Sequence, residues 1–125
     1  MIYLDTHAVV FVYENDLRRF SADALRAIEA DDDIRVSPMV LLELELLHEI
    51  KRIRTSPRRL METLAADIGL KICAAPFAAV ANKASEERWT RDPFDRLIVA
   101  QARLAEAALI TRDRVIRAHY PAAIG

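Results

Sequence analysis

The sequence predicts an α/β fold: a three-layer sandwich with a central parallel sheet of about four to five strands flanked by helices. Three observations carry this. Short apolar runs alternate with helix-length segments. The stretches between those runs are long enough to return the chain for parallel pairing. Three helix starts are marked by a capping residue followed by proline, at Ser37-Pro38, Ser56-Pro57 and Asp92-Pro93. The chain has 125 residues, the size of one ordinary domain with a core of its own, so residues 1–125 are read as a single domain.

Taken in order, "MIYLD" is a buried strand ending in an acid. "THAVVFVYE" follows as a first helix. "SADALRAIEA" is a second helix, with Ser21 as N-cap and an apolar face at Ala24, Leu25 and Ile28. A polar loop at Asp31–Asp33 leads to a strand over Ile34–Val36. "SPMVLLELELLHEI" and "SPRRLMETLAADIG" are helices, the second stopped by Gly69. "LKICA" is a strand. "PFAAVANKASEERW" is one helix or two short ones. "DPFDRLIVAQARLAEA" is a helix capped by Asp92, "ALIT" a strand, and "RDRVIRAHY" a final short helix. The closing "PAAIG" fits either a loop or an edge strand.

Hydrophobic residues make up 53% of the chain and charged residues 30%, the balance of a globular protein rather than a disordered one. No apolar run reaches membrane-spanning length, and no signal peptide is visible at the N-terminus. The single cysteine, Cys73, cannot form an internal disulfide or a thiol zinc site, and it fits a reducing, cytoplasmic setting. The net charge is −1 but unevenly spread. Residues 1–50 carry 4 basic and 11 acidic residues, and residues 51–125 carry 14 and 8. The basic second part leaves room for a polyanionic partner. With only Gly69 and Gly125 present, there is no glycine-rich phosphate loop, which excludes the Rossmann and P-loop classes.

Open parallel sheets bind ligands beyond the carboxyl ends of their strands. Asp5 stands at that edge after the first strand and Asp113 just past the "ALIT" strand. Each is also a good helix N-cap, which is the plainer reading of either alone. Glu43 is more informative. Its helical neighbours are Met39, Val40, Leu46, Leu47 and Ile50, so a carboxylate interrupts an apolar face at a cost of several kcal/mol unless it is paired or metal-bound. Glu45 and Glu49 have mixed neighbours and read as solvated. Asp95 stands where the polar edge of its helix meets the buried stripe of Ile98, Val99 and Ala102. Asp92, one turn earlier, reads as the cap. Carboxylates gathered at one point raise one another's pKa, and divalent cations with oxygen ligands relieve that repulsion. Mg²⁺ or Mn²⁺ fits an acid set without histidine or cysteine ligands, and such ions activate water and stabilise charge at a phosphoryl centre.

Four blocks, "YLDTHAVVFVYE", "SPMVLLELELL", "RDPFDRLIVAQA" and "LITRD", make the whole chain resemble a PIN-domain ribonuclease, the VapC-type toxin of a VapBC toxin–antitoxin system. The resemblance implies a PIN-like sandwich and a toxin-type Mg²⁺/Mn²⁺-dependent endoribonuclease hydrolysing RNA phosphodiester bonds. By the same match Asp5, Glu43, Asp95 and Asp113 are the catalytic, metal-holding acids. Thr6 and Thr111, with Asp92, support them. A VapB-type antitoxin would block the site, and a homodimer is expected.

Other features are weighed beside this. Arg88, Arg91 and Arg96 flank the predicted acids and are candidates for gripping RNA. "KRIRTSPRR" at 51–59 reads as a solvated junction, or else as a rim for phosphates. Trp89 fits a base-stacking platform or a structural role equally. His7 reads as a hydrogen-bonding helix-start residue. Asp31, Asp32 and Asp33 read as solvated, because consecutive loop residues point apart. The apolar excess around "MVLLELELLHEI" suggests burial on more than one side. Two rival functions remain: a catalytically silent PIN-fold module that binds RNA or protein, and a phosphatase with an Asp5 nucleophile. The second wants an aspartate where His7 stands.

Overall fold

The computed structural model describes residues 1–125. Five strands form one sheet: β1 (Ile2–Leu4), β2 (Ile34–Val36), β3 (Lys71–Ile72), β4 (Ala108–Ile110) and β5 (Ala123–Ile124). Seven helices flank it: α1 (Thr6–Tyr13), α2 (Ala22–Ala30), α3 (Pro38–Glu49), α4 (Pro57–Ile68), α5 (Phe77–Ala84), α6 (Pro93–Leu104) and α7 (Arg114–His119). The strand order is β3-β2-β1-β4-β5, and every pairing is parallel. Ile2 pairs with Ile34 on one side and Ala108 on the other. The chain therefore winds outward from β1 through β2 to β3, then returns through α5 and α6 to place β4 on the opposite side of β1. The β1/β4 seam is the switch point of the sheet, where a crevice opens beyond the strand ends.

The helix starts follow the capping chemistry. The Ser37 and Ser56 hydroxyls accept from Met39 N–H and Arg59 N–H, with proline at the first helical position of α3 and α4. Gly69 ends α4 in the left-handed region at φ 67°, a conformation glycine adopts without a Cβ penalty. Central strands buried on both faces need continuous apolar runs. Leu4, Val36, Leu109 and Ile110 supply them and are fully buried, packed with Val9, Val40, Leu44 and Val99.

Three details differ from the sequence reading or resolve it. The closing residues form β5: Leu109 and Thr111 donate their N–H groups to Ala122 and Ile124 carbonyls. A single 3₁₀ turn at Leu17–Arg19 sits in a stretch with no helical periodicity to announce it. The outer face of α3 is not covered: Leu42, Leu46 and Ile50 are exposed. Glu43's apolar neighbours thus divide, with Val40 buried and Leu46 and Ile50 open to solvent. No helix is long and apolar enough to cross a membrane.

Candidate active site

Asp5, Thr6, Glu43, Asp92, Asp95 and Asp113 line one pocket of about 510 Å³, together with His7, Arg19 and Arg112. It lies at the carboxyl ends of β1 and β4. Asp5 follows β1 directly, α3 carries Glu43 toward the crevice, the start of α6 carries Asp92 and Asp95, and Asp113 follows β4.

Three of the acids are also helix caps. The Asp5 Oδ1 accepts from Ala8 N–H at 2.8 Å. Asp92 Oδ1 accepts from Phe94 N–H at 2.9 Å. Asp113 Oδ1 accepts from Val115 and Ile116 N–H at 2.8 and 3.0 Å. Capping and chemistry are therefore not alternatives. In Asp92 and Asp113 the cap occupies one carboxylate oxygen and leaves the other unengaged, while the helix fixes where the group stands. The threonines hold the acids: Thr6 Oγ1 donates to Glu43 Oε1, and Thr111 Oγ1 accepts from Asp113 N–H at 3.1 Å.

The electrostatics are those of an uncompensated acid cluster. Burial raises the Asp5 pKa, with the nearby Thr111 hydroxyl and the Ala8 amide working in the opposite direction. Asp95 is pushed up to about 7, first by desolvation and then by the neighbouring charges of Asp92, Asp113, Glu43 and Asp5. None of the chain's ion pairs includes one of these five acids. As the side chains stand, no three acids converge closely enough to ligate one ion. The donor set nonetheless fits a hard divalent cation. It is all carboxylate oxygen, and its mutual repulsion is what such a cation neutralises.

The predicted RNA-binding arginines stand off from this pocket. Arg88 and Arg91 are exposed on the segment before α6, and Arg96 Nε donates to the Thr90 carbonyl at 2.7 Å. The cations at the pocket wall are Arg19, from the 3₁₀ turn, and Arg112, between β4 and Asp113. Sequence reasoning passed over both, although "TRD" puts Arg112 beside Asp113 in plain view. Arg52 and Arg54 of the basic run line a separate cavity with Tyr13 and Glu14. Trp89 donates to Glu87 at 2.6 Å and stacks on His119 at 5.0 Å between ring centroids, which ties its ring into a structural network with Arg103.

A parallel sheet whose switch point gathers four or five carboxylates without a glycine-rich loop defines a class, the PIN-type α/β domains. The PIN domain sequence model matches residues 2–120, and the chain belongs to that family. Within it, the chain is 32% identical to Ribonuclease VapC22 of Mycobacterium tuberculosis over 120 residues, 94% of this chain and 91% of that protein. Its fold is similar to a chain of a toxin–antitoxin complex from Klebsiella pneumoniae, with a TM-score of 0.66 at 20% identity over 100% and 97% of the two chains. It also resembles a chain of VapBC2 from Rickettsia felis bound to a promoter DNA fragment, with a TM-score of 0.64 at 18% identity over 99% and 96%.

Proposed function

We propose that this protein is a VapC-type toxin, a metal-dependent endoribonuclease restrained by a VapB-type antitoxin. One observation carries the reading. Five carboxylates line the crevice at the β1/β4 switch point with no ion-pair partner, and proximity and burial hold two of them above their ordinary pKa. Carboxylates gathered in a crevice with perturbed pKa values and no cation partner mark a site for chemistry. Kinship with a ribonuclease of the same family supports RNA as the substrate.

Asp5, Glu43, Asp95 and Asp113 would hold Mg²⁺ or Mn²⁺. When bound, the ion supplies a nucleophile from water at neutral pH and stabilises charge on the phosphoryl oxygens. The chain's own residues do the rest. The α1 and α7 caps fix Asp5 and Asp113, Thr6 orients Glu43, and Asp92 anchors the helix that aims Asp95. Arg19 and Arg112 bring positive charge to the wall of a pocket that would otherwise repel a polyanion. The lone, buried Cys73 fits a reducing cytoplasm. The exposed Leu42, Leu46 and Ile50 stripe offers a protein partner, antitoxin or second copy, an apolar surface.

The test is cleavage of RNA by the purified, antitoxin-free protein with Mn²⁺, with and without a chelator, beside Asp5→Asn. Metal-dependent cleavage that Asp5→Asn abolishes is expected. A silent binding module would show neither cleavage nor heat on Mn²⁺ titration. If the protein cuts RNA and Asp5→Asn cuts as fast as wild type, the site assignment fails.

A further inference from the structure

Beside the acid pocket lies a second and larger cavity of about 670 Å³ whose chemistry is the reverse. Arg18, Arg19, Arg112 and Arg117 line it, with Asp23 as the one acidic side chain. Asp23 pairs with Arg26. Arg18 and Arg19 share Asp16, at 3.4 and 3.1 Å. Arg112 and Arg117 have no side-chain carboxylate partner. Gly125 follows β5, its carbonyl accepts from Ser21 N–H at 3.1 Å, and the Arg117 guanidinium lies against it. Arg19 is fixed a second way, its guanidinium 5.4 Å from the Phe11 ring centroid.

Arg19 and Arg112 belong to both cavities, so the acid pocket and the arginine cleft share a wall. A crevice of five carboxylates cannot by itself hold a polyanion. A strand kept there needs its other phosphates neutralised next door. Guanidinium groups are the side chains best suited to phosphate oxygens, which they meet through two parallel N–H donors.

We infer that the Arg18–Arg19–Arg112–Arg117 cleft is the seat for a backbone phosphate of the RNA strand flanking the bond that the acid pocket cuts. The inference rests on the ribonuclease reading for the identity of its strand. It assigns the binding of that strand to side chains outside the acid cluster and to the surface formed by β5, α7 and the 3₁₀ turn. Contacts of this kind carry affinity and register without sequence information.

The experiment uses the full chain and a short single-stranded RNA. Arg18→Gln/Arg117→Gln removes two exposed cations that touch only the cleft, and Arg58→Gln/Arg59→Gln on α4 removes two elsewhere. Binding is read by fluorescence anisotropy in an Asp5→Asn background, so that it does not depend on cleavage. The cleft variant should bind at least about tenfold more weakly, and its salt slope should fall by about 0.7, the value for one lost phosphate contact on a single strand. The α4 variant should do neither. In the cleaving protein, the cleft variant should raise KM and leave kcat within about twofold. Replacing single linkages of the RNA with uncharged methylphosphonates should reveal one, away from the cut, that weakens wild type and no longer matters in the cleft variant.

RNA affinity and salt slope equal to those of the α4 variant overturn the proposal. So does the absence of any linkage coupled to the cleft. Unchanged RNA binding together with lost binding of a polyglutamate peptide assigns the cleft to an acidic protein segment instead. If wild type does not cut RNA at all, the ribonuclease reading fails, while the anisotropy still decides whether the cleft holds phosphate.

Discussion

Aspartates stand at both ends of the sheet, and their surroundings are opposite. Before the strands, Asp31 takes the Met1 ammonium at 2.8 Å. Asp33 receives both Arg35 Nε and Nη2, at 2.9 and 3.1 Å, with Lys71 Nζ at 3.7 Å. Bonds to these cations hold both acids below the ordinary carboxylate range. Beyond the strands, Asp5 and Asp95 have no such partner, and both are raised. Residue type is the same at the two ends, and Asp5 and Asp33 each adjoin a strand. What separates the two sets is whether the fold supplies a cation for each acid.

The contrast breaks most visibly through activity. Asp5→Asn and Asp95→Asn should each lower RNA cleavage by about a thousandfold or more, as expected when several kcal/mol of transition-state stabilisation is lost. Circular dichroism and Tm should show an intact fold. Asp33→Asn should leave the cleavage rate unchanged. Cleavage that survives in Asp95→Asn but fails in Asp33→Asn would reverse the assignment of the two ends.

A second test uses pH. Between about pH 4 and 7 the folded chain keeps the Asp95 proton that the unfolded chain has released. Stability of the metal-free protein should therefore fall as pH rises through that window, and Asp95→Asn should flatten the slope. Mn²⁺ must displace the same proton, so its apparent affinity should rise by about tenfold per pH unit up to about 7 and then level off. Calorimetry across the window reads this directly, and a flat profile would detach Asp95 from the ion.

Smaller effects sharpen the picture. Asp92→Ala removes a cap and should cost about 1 kcal/mol of stability, with a partial fall in cleavage because α6 no longer aims Asp95 as firmly. A loss as total as that of Asp95→Asn would make Asp92 a ligand as well. The least effect belongs to the opposite end. Asp31→Asn and Asp33→Asn should lower Tm by no more than a few degrees. Their contribution is present above about pH 4 and disappears as pH falls below it, so the variants and wild type should converge in acid melts.

The strand ends and caps could be read from the chain because each is written locally. Asp5 closes an apolar run, Asp92 precedes proline, and Ser37-Pro38 opens α3. Glu43 stood out by interrupting an apolar face, although two of its three leucine and isoleucine neighbours, Leu46 and Ile50, face solvent. The arginines of the pocket wall were not legible. Arg19 lies in a 3₁₀ turn without periodicity, and it shares a cavity with Arg112 across a long stretch of chain, beside the point where the Gly125 carbonyl accepts from Ser21 N–H. Local spacing placed Arg88, Arg91 and Arg96 nearer in sequence, yet α6 and its preceding turn carry them away from the pocket. Long-range packing, absent from any window of a dozen residues, decided this.

The pairing of β1 with both β2 and β4 has a consequence in time. Asp113 joins Asp5 only after β4 has docked on β1, more than a hundred positions of chain later. Contacts so distant in sequence are the slowest to form. A nascent chain therefore carries its acids scattered along a tether, with no crevice to gather them. Until β4 is laid against β1, Asp5 and Asp113 share no crevice.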